Sequence, residues 1–64
     1  MAERFLAINN KQLGMCLRML FAEGIQGNVE TFTNEKGKIE FHITANVDED
    51  TMTKLLERYE ILIS

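Results

Sequence analysis

Tyr59-Glu60-Ile61-Leu62-Ile63-Ser64, at the end of a 64-residue chain, is the stretch that decides between two folds. Two β-branched residues in three at Ile61-Leu62-Ile63 favour a short strand, since such side chains lose rotamer freedom in a helix. Against that, Leu62 continues the apolar stripe Met52, Leu55, Leu56, Tyr59 at helical spacing, and no glycine breaks the run. With the tail as a strand, the order is β-α-β-β-α-β, a four-stranded antiparallel sheet with two helices on one face. With the tail helical, it is β-α-β-β-α with three strands. The strand is the expectation carried forward, and the helix is its alternative.

Upstream of the tail, Asp48 reads as a helix N-cap, followed by Glu49 and Asp50 where the helix dipole favours negative charge. Residues 28–34 and 38–47 read as a hairpin. Asn34-Glu35-Lys36-Gly37 suits a type I turn closed by a glycine in a bulge. Its second strand alternates, with Ile39, Phe41, Ile43 and Ala45 on one face and Glu40, His42 and Thr44 on the other. Earlier still, Asn9 reads as an N-cap with Gln12 at the capping-box position. Leu13, Cys16, Leu17, Leu20 and Phe21 then form a buried helical stripe, stopped by Gly24 with Ile25 placed for a Schellman contact. Residues 3–8 read as a first strand, apolar on both faces at Phe5-Leu6-Ala7-Ile8. The whole order is that of the ferredoxin-like plan.

The length allows one domain, residues 1–64, with no staple beyond its core. One cysteine permits no internal disulfide, and Cys16 on the apolar stripe reads as a small buried hydrophobe. No apolar leader follows Met1 and no run approaches a membrane span, so the expected location is the cytoplasm. The net charge of −3 with scattered Lys and Arg disfavours direct nucleic-acid binding, which needs clustered cations. No nucleophile–base pair, phosphate loop or metal-ligand spacing is present, so neither an enzyme nor a cofactor is expected.

Two surfaces are left over as interface candidates. If Leu6, Ile8, Val29, Ile39, Phe41, Ile43, Ile61 and Ile63 face the helices, the open sheet face carries Phe5, Ala7, Phe32, His42 and Leu62. That is more apolar surface than a monomer leaves idle. A shift of one residue in the first strand would exchange its faces. The second surface is Met15 and Met19, roughly opposite the Leu13/Leu17/Leu20 stripe, open to a partner or to the second helix. His42, the only histidine, reads as an ordinary strand residue on the open face.

Leu13-x3-Leu17-x2-Leu20-x3-Gly24-Ile25 after an Asn-rich turn, together with the segment from Met52 to Ile63, resembles the ACT domain, a small ferredoxin-like regulatory module. The resemblance spans nearly the whole chain and implies pairing between copies. It also implies amino-acid binding near the first strand-to-helix turn, at Asn9 and Asn10, with Lys11 where that turn typically has a glycine. The expected function is a non-enzymatic protein-interaction or regulatory domain, a small adaptor or inhibitor of the sort phages encode, acting as a homodimer or on another protein. The alternative is an ACT-like small-ligand sensor.

Overall fold

Asn9 starts the first helix by supplying what the free backbone amides of its first turn lack. In the computed structural model, which describes residues 3–64, Asn9 Oδ1 accepts the Gln12 amide at 2.8 Å. Gln12 Oε1 accepts in return from the Ile8 amide at 3.1 Å, one residue earlier than a capping box requires. The helix ends as a Schellman motif, with Gly24 at φ 71° and the Ile25 amide donating to the Leu20 carbonyl at 2.9 Å. Asp48 caps the second helix through the Thr51 amide at 2.8 Å. In the hairpin, Gly37 at φ 77° donates to the Asn34 carbonyl at 3.0 Å, as a type I turn with a glycine bulge demands.

These signals delimit β1 (Phe5–Ala7), α1 (Asn10–Ala22), β2 (Gly27–Thr33), β3 (Ile39–Ala45) and α2 (Glu49–Ile63). The sheet has three strands in the order β1-β3-β2, each antiparallel to its neighbour. β1 and β2 are therefore parallel, joined through α1, with β3 inserted between them. The core forms where both helices meet β1 and β3. Phe5, Cys16, Leu20, Ile43 and Tyr59 are fully enclosed there, with Phe5 and Tyr59 edge to face at 5.6 Å between centroids. Gly27 lets α1 lie close over β2, because a Cβ there would stand 2.9 Å from Leu20 and 3.1 Å from Ile43.

Three expectations are corrected. The first concerns the faces of β1, which are exchanged. Phe5 pairs with Ile43 and Ala7 with Phe41 on the helix side, whereas Leu6 pairs with His42 on the open side. Both alternating sets are apolar, so periodicity could not choose. Fit does, since small Ala7 lets the helices approach and Phe5 meets Tyr59, whose hydroxyl donates to the Leu6 carbonyl at 2.7 Å.

The second correction is that α1 is rotated from the expected stripe. Met19 is buried with Cys16 and Leu20, while Phe21 is 85% exposed. The helix has two neighbours, the sheet and α2, so its buried arc points between them. Third, Ile61-Leu62-Ile63 form the last turn of α2 and not a strand. Ile63 lies four residues from Tyr59, so continuing the helix keeps it packed on the core. A strand would need a turn that the run Tyr59-Glu60-Ile61 leaves no residues to make.

Candidate interaction surface

Both helices cover one side of the sheet, so the other side is built from side chains that alternate outward from three strands. Leu6, His42 and Glu30 form one row across it, and Glu40 with Phe32 forms the next. Arg4, two residues before Leu6, extends the same face. Leu6 and Phe32 are each 44% exposed.

Polar side chains on this face hold one another. Arg4 approaches His42 Nδ1 at 3.2 Å. A guanidinium can only donate, so Nδ1 accepts and the ring proton sits on Nε2. Nε2 then donates to Glu40 Oε1 at 3.3 Å, and Glu40 Oε2 accepts from Asn34 Nδ2 at 3.3 Å. Phe32 leans on the His42 ring, with centroids 4.3 Å apart and planes tilted by 41°. Partly exposed contacts of this kind add little stability. Their effect is to give His42 and Phe32 one orientation, with apolar Leu6 and Phe32 standing beside the polar row.

The predicted site residues are thus redistributed. Phe32 and His42 come together on the open face. Phe5 and Met19 lie in the core and present no surface to a partner. Leu62 is exposed on α2 and not on the sheet. Met15 is half-buried in a cleft of about 250 Å³ with Asn9, Lys11, Gln12, Leu62, Ile63 and Ser64. Asn10 is exposed at the start of α1, outside that lining. Leu6 and Arg4 on this face, and Phe21 on α1, are contributors that periodicity does not place at the surface. Arg4 would have been found with the other register of β1, since it shares the period of Leu6. Phe21 carried no outward signal, because it sits at core spacing from Leu17.

No protein-family model, curated protein or solved structure matches this chain. The chemistry of the surface therefore rests on its own geometry. Burial pushes the Cys16 thiol up to about 11, away from the range of a reactive thiolate. Burial, then the neighbouring Cys16 and Glu60, pushes Tyr59 up to about 12. Among the described residues no group of three or more His, Cys, Asp or Glu is placed to hold a metal ion. Nor is any helix among them long and apolar enough to cross a membrane.

Proposed function

We propose that this chain is a non-enzymatic protein-interaction or regulatory domain, a small adaptor or inhibitor whose bare sheet face is covered by a partner protein. The observation that carries this reading is the pairing of exposed Leu6 and Phe32 with a row of polar side chains already bonded in place. Apolar contacts around a fixed polar centre suit protein recognition, because little side-chain entropy is left to lose on binding. The two groups that could do chemistry are otherwise engaged. Both ring nitrogens of His42 have partners, and Cys16 is a protonated core residue. A buried free thiol suits the reducing cytoplasm.

The test is affinity capture from the source cell's extract with the wild type and with Leu6→Glu/Phe32→Glu. Both sites are exposed, so the variant keeps its circular dichroism and melting temperature. The proteins retained by the wild type should be lost. An unchanged set of captured proteins, or none with the wild type, sinks the reading.

A second reading is favoured by the cleft beside Asn9. The insertion of β3 between β1 and β2 is shared with ferredoxin-like regulatory modules, including the ACT-like sensors that the sequence resembles. On that reading the cleft takes an amino acid against Lys11 and Met15. Asn9 and Gln12 already spend acceptors on capping, which leaves fewer polar groups for a ligand. A thermal-shift screen against amino acids separates the two, since a ligand at 100 times its Kd stabilises by about 2.7 kcal/mol. No shift with any amino acid removes the sensor.

A further inference from the structure

β2 is a sheet edge, and its free side can be worked out residue by residue. The Asn34 amide donates to the Lys38 carbonyl at 2.8 Å, which makes Asn34/Lys38 a bonded pair of the ladder. Bonded and non-bonded pairs alternate along an antiparallel ladder, so Phe32/Glu40, Glu30/His42 and Asn28/Thr44 are bonded as well. Gly27, Val29, Thr31 and Thr33 therefore turn both N–H and C=O away from β3, along an edge that no other described strand covers. Proteins usually blunt such an edge with proline, lysine, a bulge or a very short strand. β2 runs seven residues, Gly-Asn-Val-Glu-Thr-Phe-Thr, with no proline or lysine and a single charge at Glu30.

We propose that this edge pairs antiparallel with the same edge of a second copy, about a two-fold axis at Thr31, fusing the two sheets into one. The proposal rests on the reading of the chain as an interaction domain, but uses a different surface from the bare face. Only registers that set odd-numbered residues opposite odd-numbered residues join outward groups to outward groups. The fully overlapped register, centred on Glu30, puts Glu30 against its own copy in a non-bonded pair, where side chains come closest and like charges repel. Moving the axis to Thr31 removes that clash. It pairs Thr31 with Thr31 and Val29 with Thr33, for about six main-chain hydrogen bonds.

The same two-fold brings unlike ends of the molecule together, which is what makes a second copy the fitting occupant. At the Gly27 end, Arg18, Phe21, Leu17 and Ile25 line a groove of about 350 Å³ beside the edge. At the other end the helices no longer cover the sheet, and Ile39 is 56% exposed. The Thr31 axis sets Gly27 of each copy opposite Glu35 of the other. Arg18 then faces an opposite charge, and Phe21 overhangs the uncovered hairpin end near Ile39. Each copy supplies the apolar cover that the other lacks.

Sedimentation equilibrium and amide hydrogen exchange on the full chain test this. The wild type should be dimeric, with the Val29, Thr31 and Thr33 amides protected. Thr31→Pro removes an outward N–H without touching the bonds to β3, and two such bonds are lost per dimer. Dissociation should then rise roughly thirtyfold or more. Val29→Lys/Thr31→Lys should do the same if the proline variant fails to fold. Leu6→Glu, on the bare face, should leave the dimer intact. A wild type that is monomeric at 200 µM (~1.5 mg/mL), or a folded edge variant that still dimerises, overturns the proposal. So does a dimer lost with Leu6→Glu, and that result would instead support the bare face as the interface. Loss of captured partners with an intact dimer, or the converse, shows which of the two surfaces has failed.

Discussion

The two ends of the sheet contrast sharply. At β1, three residues make a strand that both helices cover, and Phe5 and Ala7 are wholly enclosed. At β2, seven residues make a longer strand in which every position after half-buried Gly27 is exposed. Strand length is therefore a poor guide to where stability resides. The short strand is held by Phe5 against Tyr59 and by the Tyr59 hydroxyl on the Leu6 carbonyl. The long strand is held by its ladder to β3, with α1 touching it mainly at Gly27. One end keeps the fold together, and the other is left free to meet something else.

That division can be broken or sharpened by substitution. The largest expected effect is at the covered end. Leu20→Ala or Phe5→Ala opens a cavity where nothing can collapse freely, at a cost of about 3–5 kcal/mol. For a domain this small, most of its stability would be lost, visible as a melting temperature lowered by well over 10 °C.

Gly27 is the point where α1 and β3 close on β2, and Gly27→Val tests whether α1 can yield there. Its Cβ alone would fall 2.9 Å from Leu20 Cδ1 and 3.1 Å from Ile43 Cγ2. Chemical denaturation should show a loss of roughly 1–3 kcal/mol. A neutral result would mean that α1 rests on β2 more loosely than these distances imply.

Tyr59→Phe keeps the ring on Phe5 and removes only the bond to Leu6, for about 1 kcal/mol in the same measurement. By contrast, Phe21→Ser should change stability by no more than about 0.5 kcal/mol, although an aromatic ring is lost. A large loss there would contradict the division between the two ends.

The effects of pH fall on two single groups. The raised Cys16 value means that its contribution is complete below the unfolded thiol's 9.0 and is lost as pH rises through about 11. Cys16→Ala should flatten the stability curve in that window. At the acid side, the Thr51 side chain and amide hold Asp48 below its ordinary 3.8. The stability this adds is present above that value and falls away as pH drops further. Asp48→Asn, an equally good cap without the charge, should remove that slope.

Element boundaries were legible because each is set by local chemistry. Asn9, Gly24, Gly37 and Asp48 satisfy backbone groups within a few residues of themselves, and all four act where the sequence places them. The bare face was legible in part. Phe32 and His42 lie on it because the alternation of the hairpin is unambiguous, with Glu40 and Glu30 marking the wet side. Phe5 is not on that face but in the core, and its place is not legible, since four consecutive apolar residues carry no phase. The tail departs from its expected strand for a related reason. β-branched residues disfavour a helix by tenths of a kcal/mol each, which the packing of Ile63 on the core outweighs.

By itself, then, the sequence determined the order of the elements, their caps and turns, and the phase of the hairpin, because all of these depend on interactions across a few residues. Only the tertiary structure decided which face of β1 turns inward, how far α1 rotates and whether the tail joins the sheet. Those choices turn on the volumes of Ala7, Phe5, Met19 and Ile63 meeting partners far away in the chain. They also determine that the excess apolar surface lies at Leu6, Phe32 and Phe21, and not at Phe5 or Met19.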